Sequence, residues 1–425
     1  MTDMVRMIEP LDRPPNCELR VPGSKSLTNR ALLIAALAEG ESELDGVLFS
    51  DDTHYMIEAW RQLGIAVTVD RAEARCTVAG HGGAIPVTGA DLYVGNAGTA
   101  MRFLVAAVAL GHGRFRVDGS ARMRERPIGD LLDGLTQIGA RVHSEAGAGC
   151  PPVVVDADGL SGGAAAIAGQ QSSQFVSALL MVAPCMRDGL RLTVEGLVAA
   201  PYVDMTLAVM AAFGVTSGRD GYRMLSVAPQ RYRARRYAIE PDASSAHYFL
   251  AAAALTGGRV RVHGLGRTSL QGDVRFVDLL EQMGATVERG EDYLEVRGGG
   301  DLDGIDADLN AISDTAPTLA ALAPFARRPV TIRNIAHVRL QESDRLRVVA
   351  TELNRLGVRV RELPDGLVVE PSTVRPGVVE TYDDHRIAMS FAILGLRARG
   401  VGVRGPQCVR KTFPDFFERL EELRG

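Results

Sequence analysis

Lysine is almost missing from this chain. Of 425 residues only Lys25 and Lys411 are lysines, against 45 arginines. A lysine ammonium is a compact charge that can hold an anion and also move a proton, whereas a guanidinium is a fixed fork that stays charged. The two places where lysine survives are therefore candidates for chemistry. Other absences exclude whole classes. No apolar run reaches the roughly 18 residues needed to cross a bilayer, and the start, Met1-Thr2-Asp3-Met4-Val5-Arg6, has no signal-peptide core; a cytoplasmic protein without membrane contact is expected. A formal net charge of −5 argues against nucleic acid as a partner. Five scattered cysteines (Cys17, Cys76, Cys150, Cys185, Cys408) form no CxxC pair, as expected of reduced and mostly buried thiols. The eight histidines show no HxxxH or HxH spacing. No metal is therefore expected, although Asp383-Asp384-His385 admits a metal site as its rival reading. Without a GxxxxGK[ST] loop, a GxGxxG fingerprint or a Ser-His-Asp order, neither a nucleotide cofactor nor a hydrolase triad is expected.

What the chain has instead is a repeat. Pro22-Gly23 ends an extended segment, Ser24 is a good N-cap, and the apolar run Ala31 to Ala38 follows after Lys25-Ser26-Leu27-Thr28-Asn29-Arg30. A helix apolar all round is a buried helix. Similar polar starts before apolar runs lie near 96, 172, 244, 314 and 384, at separations of 72, 76, 72, 70 and 70 residues. A second element keeps phase with them: an amphipathic helix that ends at Gly64, Gly139, Gly214, Gly284 or Gly357 and leads into a strand. A sixth copy, Phe413 to Leu423, is cut short by the chain end. A fixed period means units that cannot bury their own apolar faces and must pack together. Six units of helix, helix and short strands predict an α/β protein that divides three plus three.

The polar starts carry the candidate chemistry. A helix N-terminus offers free N–H groups and partial positive charge, so Lys25 and Arg30 at one suggest an anion site. Asn96, Gly98, Thr99 and Arg102 recur in the second unit, followed by Arg122, Arg124 and Arg126 before a helix expected near Pro127. An anion held among these three arginines would explain cations at a helix start, where they oppose the dipole; a solvated loop is the alternative. In the later units Glu342 and Asp344 suit capping while Arg345 is surplus to it, and Asp384, His385 and Arg386 repeat the arrangement. Lys411 precedes the last helix. Cations at Lys25, Arg30, Arg126, Arg345, Arg386 and Lys411 beside carboxylates at Asp242, Asp314, Glu342 and Asp384 suit an enzyme that binds small polyanions with acid and base groups at hand.

At these residues the chain resembles the enolpyruvyl transferases, and among them those acting on shikimate 3-phosphate. The resemblance rests on eight stretches in order that span nearly the whole chain: 22 to 30, 95 to 102, 122 to 129, 172 to 175, 242 to 246, 342 to 346, 384 to 386 and 411 to 415. It implies two inside-out α/β domains, each of three βαβαββ repeats with helices inside and sheets outside. Residues 1–22 plus 242–425 would form the C-terminal domain and 23–241 the N-terminal one, closing over an active site in the cleft between them. The implied reaction moves the enolpyruvyl group of phosphoenolpyruvate to the 5-hydroxyl of shikimate 3-phosphate and releases phosphate, without cofactor or metal, in a monomer. Lys25, Asp314, Glu342, His385 and Lys411 would be catalytic. Asp314 would act as base towards the hydroxyl, and Glu342, with Lys25 or Lys411, would donate a proton to the methylene carbon. Lys25, Ser26, Arg30, Ser172, Ser173, Gln174, Tyr202, Asp314, His337 and Gln341 would hold shikimate 3-phosphate. Lys25, Asn96, Gly98, Arg126, Gln174, Arg345, Arg386 and Lys411 would hold phosphoenolpyruvate. Ala199, His337 and Gln341 stand where many members carry serine, asparagine and lysine, so a related transferase with a modified hydroxy acceptor is an alternative, as is a non-catalytic ligand-binding paralogue. The sister reaction on UDP-N-acetylglucosamine uses a cysteine acid, and no cysteine lies between Cys76 and Cys150. Phe103, where proline is common, would reshape the helix beneath Gly98.

Overall fold

The computed structural model describes residues 4–425; Met1, Thr2 and Asp3, part of the stretch read for a signal peptide, lie outside them. The chain divides into two compact units, one of Gly23–Ile239 and the other of Glu240–Gly425 with the N-terminal residues through Pro22.

In the first unit each repeat follows one plan. Gly89–Tyr93 pairs in parallel with His112–Asp118, and the helix Gly98–Val108 makes the crossover that parallel pairing requires. The helix Gly129–Gln137 and the strands Arg141–Ser144 and Val153–Asp158 complete a four-stranded sheet. The next repeat does the same with Gly163–Ala168 parallel to Leu190–Glu195 across the helix Ser173–Val182. The earliest repeat takes its leading strand from far along the chain: Arg236–Ala238 pairs in parallel with Glu39–Asp45, beside the helix Lys25–Leu37.

The other unit mirrors this exchange. Asn16–Leu19 is the leading strand for Arg259–His263 across the helix Ala243–Thr256, and Asp306–Asp308 leads Val330–Arg333 across Ala316–Leu322. Gly377–Glu380 leads Val401–Arg404 across His385–Gly395. Sequence reading left this last repeat truncated; Val5–Ile8 fills the missing place by pairing antiparallel to Val401–Arg404.

The six crossover helices are buried on all sides, Leu32, Ala106, Leu179, Ala252, Leu319 and Ile393 among them, which is why no polar stripe interrupts their sequences. The strands alternate instead, as in Leu190–Glu195, whose leucine and valine positions are buried and whose Arg191 and Glu195 face water.

The five glycines read as helix stops share one geometry. Gly64, Gly139, Gly214, Gly284 and Gly357 have φ between +80° and +102°. At each, the residue after the glycine donates its N–H to a carbonyl five residues back, as Ala140 does to Leu135 at 3.0 Å, and the glycine donates to the carbonyl three back, as Gly139 does to Thr136 at 3.1 Å. This reverse turn needs a left-handed residue, which glycine adopts without a Cβ clash.

The helix expected near Pro127 begins at Gly129, with Ile128 as its N-cap. One expectation is corrected. Of the five cysteines only Cys76 and Cys408 are buried; Cys17, Cys150 and Cys185 are half-buried, Cys17 and Cys185 packed against the edges of the apolar cores.

A Cβ on Gly139 would meet nothing closer than Ser161 at 3.5 Å, so Gly139→Ala tests the backbone alone. It is expected to lower stability by about 1 to 2 kcal/mol, read as an earlier midpoint in urea unfolding.

Candidate active site

In the Glu240–Gly425 unit three elements of the last two repeats send cations to the same carboxylates. Arg345 opens the helix Arg345–Arg355, whose N-cap Asp344 accepts from the Arg347 N–H at 3.1 Å. The Arg345 side chain turns inward and is 2% exposed. It donates to Asp384 Oδ2 at 2.9 Å and Oδ1 at 3.2 Å, to Asp314 Oδ1 at 3.0 Å, to Glu342 Oε2 at 2.9 Å and to the Gln341 carbonyl oxygen. Arg386, one residue into its helix, donates to Asp314 Oδ2 at 2.5 Å and to the Tyr248 hydroxyl at 3.4 Å. Lys411 ends a short turn, Pro406–Lys411, and its Nζ donates to Glu342 Oε1 at 2.8 Å. Asp314 therefore spans two guanidinium groups, and Glu342 spans a guanidinium and an ammonium.

Burial and carboxylates compete at Arg345. Burial alone would lower its pKa, but Asp384, Glu342 and Asp314 together outweigh that and raise it. Asp384 holds its aim: it caps the helix His385–Gly395 by accepting from the Arg386 N–H at 3.0 Å and takes the Ser343 hydroxyl at 2.9 Å. The aspartate of the Asp-Asp-His stretch thus serves a guanidinium and a cap. His385 is buried with Nδ1 3.7 Å from Asp384 Oδ1. His337 meets the Ser313 hydroxyl at 2.8 Å. Burial pushes its pKa down to about 4, Arg345 acting in the same sense and Asp314 against it. Asp273, which sequence reading passed over, is buried and accepts from the Ser244 hydroxyl; burial, then the charge of Asp314, raises its pKa.

In the Gly23–Ile239 unit the cations take partners of several kinds. Ser24 caps its helix by accepting from the Leu27 N–H at 3.4 Å. Lys25 in the first turn lies 3.4 Å from Oδ2 of buried Asp52, a partner that sequence reading missed because Asp52 reads as first-turn acid of its own helix. Arg30 is 1% exposed, and among the described residues its partners are neutral: the Thr206 hydroxyl at 2.7 Å, the Ser177 hydroxyl at 3.3 Å and the carbonyls of Ser26 and Tyr202, each at 3.0 Å. Its guanidinium also lies 5.4 Å from the Phe103 ring and 5.9 Å from that of Tyr202. Burial lowers its pKa to about 10. Phe103 is thus accommodated as a floor for Arg30, and the helix Gly98–Val108 runs unbroken.

The arginine triplet separates into two roles. Arg122 pairs with Glu125 at 2.9 Å and Arg124 with Asp118 at 2.6 Å, so these two are matched by nearby carboxylates. Arg126 is buried and donates to the Asn96 carbonyl and Oδ1, both at 3.2 Å. It lies against Gly98, where a Cβ would come within 2.6 Å of its Nη2. Ser172 caps the helix Ser173–Val182 by accepting from the Gln174 N–H at 3.2 Å, with Ser173 buried behind it. The structure thus gathers Asp314, His337, Gln341, Glu342, Arg345, Arg386 and Lys411 in one unit. Lys25, Ser26, Arg30, Asn96, Gly98, Arg126, Ser172, Ser173, Gln174 and Tyr202 belong to the other.

Comparison with known proteins identifies the family. The family described as EPSP synthase (3-phosphoshikimate 1-carboxyvinyltransferase) matches residues 13–420. A 3-phosphoshikimate 1-carboxyvinyltransferase of Nostoc punctiforme is 50% identical over 418 residues, covering 98% of each chain. One from Trichormus variabilis is 49% identical over 420 residues, covering 98% of this chain and 99% of its own. The solved EPSP synthase of Acinetobacter baumannii superposes with a TM-score of 0.81 at 27% identity, covering 99% of this chain and 98% of that one.

His337 yields a direct test. A folded-state pKa near 4 against 6.5 for the free side chain means that, between those values, the unfolded chain takes up a proton that the folded chain refuses. This group therefore withdraws stability as pH falls through that window. In a histidine NMR titration its ring resonances are expected to stay at their neutral positions down to about pH 4; a midpoint near 6.5 would contradict its burial.

Proposed function

Because the chain belongs to the EPSP synthase (3-phosphoshikimate 1-carboxyvinyltransferase) family, we propose that its clustered cations and carboxylates divide the work of that reaction between them. The enzyme transfers the enolpyruvyl group of phosphoenolpyruvate to the 5-hydroxyl of shikimate 3-phosphate and releases phosphate. The observation that carries the assignment of roles is that Arg345, Arg386 and Lys411, from three separate elements of two repeats, converge on Asp314 and Glu342.

Arg345, Arg386 and Lys411 bind the phosphate and carboxylate of phosphoenolpyruvate, joined by Lys25, Asn96, Gly98, Arg126 and Gln174. A planar guanidinium matches such oxyanions two at a time. An anion on Arg345 and Arg386 competes with Asp314 for the same N–H groups, and Asp314, so released, accepts the proton of the attacking hydroxyl. A proton passes from the Lys411 ammonium through Glu342 to the methylene carbon as the hydroxyl oxygen bonds to the adjacent carbon. It returns to the same pair from the methyl group as the bond to the phosphate oxygen breaks and phosphate leaves, with Lys25 and His385 as further polar groups at the reacting centre. Charge that develops in the tetrahedral adduct meets cations already oriented by Asp384 and Asp52, so little reorganisation remains for the reaction itself. Ser26, Arg30, Ser172, Ser173, Gln174, Tyr202, His337 and Gln341, with Lys25 and Asp314, hold shikimate 3-phosphate. The neutral surroundings of Arg30 support this, because a buried cation with hydroxyl and carbonyl partners gains most from a phosphate. The two sets act on one pair of substrates, so closure of the two units on them is part of the proposal. A monomer in the cytoplasm is proposed from family membership.

Two measurements test these roles. Phosphate release is expected to require both phosphoenolpyruvate and shikimate 3-phosphate, and Lys25→Met is expected to reduce it by about 100-fold or more, as loss of one oriented donor does elsewhere. Release without shikimate 3-phosphate, or release that survives the substitution, would overturn them. Gly98→Ala drives a methyl into Arg126. Loss of one charged hydrogen bond of about 1.5 to 3 kcal/mol then raises KM for phosphoenolpyruvate roughly tenfold or more, with KM for shikimate 3-phosphate little changed.

A further inference from the structure

The helix Arg345–Arg355 is fastened to the segment 380–384 at two points, and only one of them is Arg345. Glu352, seven residues and two turns further on, lies on the same helix face and is fully buried, at 0% exposure. Its Oε1 accepts from the Tyr382 hydroxyl at 2.9 Å, and its Oε2 accepts from the Glu380 N–H at 3.1 Å and from Arg355 at 2.9 Å. Between these anchors the backbone is strained. Tyr382 and Asp383 are consecutive non-glycine residues with φ of 54° and 55°, and the turn closes with the Asp384 N–H on the Thr381 carbonyl at 2.9 Å. Two successive left-handed residues of this kind persist only where their surroundings hold them. Immediately after them comes Asp384, which clamps Arg345 through two bonds and caps the helix that carries Arg386.

We infer that Glu352 is a positioning residue: it holds the turn Thr381–Asp384 in its left-handed form, and so sets Asp384 where it aims both Arg345 and Arg386. The buried carboxylate explains why two residues with side chains occupy positions suited to glycine. Glu380 N–H and Tyr382 O–H tie down the residue before the turn and its second residue, and the Arg345 to Asp384 pair ties down its last. Without Glu352 the turn is free to relax, and Asp384 swings with it. The kinetic consequence rests on the assignment of Arg345 and Arg386 to phosphoenolpyruvate; the structural consequence does not.

The test uses Glu352→Gln, which keeps the shape but offers one acceptor where the native carboxylate offers several, and Tyr382→Phe, which removes only the hydroxyl bond. Folding of each is checked by its thermal midpoint; if the first does not fold, the second carries the test. The expected result is a KM for phosphoenolpyruvate raised about tenfold, with KM for shikimate 3-phosphate changed less than about twofold. Adding Asp383→Gly to Glu352→Gln supplies a residue that needs no holding at that φ, and it is expected to recover most of the loss. A role in general stability alone would give no such rescue. A crystal structure of Glu352→Gln is the arm independent of turnover, and should show the turn relaxed to negative φ and the Arg345 to Asp384 pair broken. If the folded variant keeps both positive φ values and that pair, or if both KM values rise together without rescue, the inference is overturned. Wild-type protein that releases no phosphate would instead overturn the functional reading and leave the crystallographic arm to decide this one.

Discussion

A guanidinium with almost no access to water has to be answered inside the protein, and Arg345 sets that requirement for the Glu240–Gly425 unit. Removing one partner from a buried ion pair costs about 3 to 5 kcal/mol because an uncompensated charge remains. Arg345 consequently draws Asp384, Glu342 and Asp314 from three separate stretches of chain. Those carboxylates then fix Arg386 and Lys411 in turn. In this unit Asp314 and Asp384, at the starts of two crossover helices, are thereby made places where charge is buried. The same requirement reaches backwards into the fold, because Asp384 can answer Arg345 only from a turn that its own backbone disfavours.

The Gly23–Ile239 unit meets the requirement differently. Arg30 is buried as deeply, yet hydroxyls, carbonyls and two aromatic rings surround it, and burial lowers its pKa. Arg126 lies against Asn96 and the bare backbone of Gly98. One unit therefore holds its cations in place with carboxylates, while in the other Arg30 is buried among neutral groups and Lys25 lies beside Asp52.

Much of this was legible in the sequence where the signal is local. The starts near 24, 96, 172, 244, 314 and 384 each proved to precede a buried helix, because a cap followed by an unbroken apolar run leaves few other structures. The five glycines proved to be left-handed helix stops, because no other residue fits that turn without strain. The arginine triplet at 122 to 126 misled, since three like charges in a row carry no mark of which are matched by Glu125 and Asp118. Asp52, Ser343 and Glu352 were not found at all. Each reads as an ordinary helix residue or cap, and its partner lies 27, 41 or some 28 to 30 positions away in the chain.

Composition, period and capping thus determined the class of fold, the number of repeats, the helix starts and the cations placed on them, since each depends on residues within a turn or two of one another. The tertiary structure decided how carboxylates are assigned to cations. It also showed that Val5–Ile8 completes the last sheet, that Asn16–Leu19 and Arg236–Ala238 exchange places as leading strands, and that Tyr382 and Asp383 take a conformation their side chains oppose. These depend on the energy of burying charge and unpaired backbone among segments distant in sequence, which no local pattern of residues records.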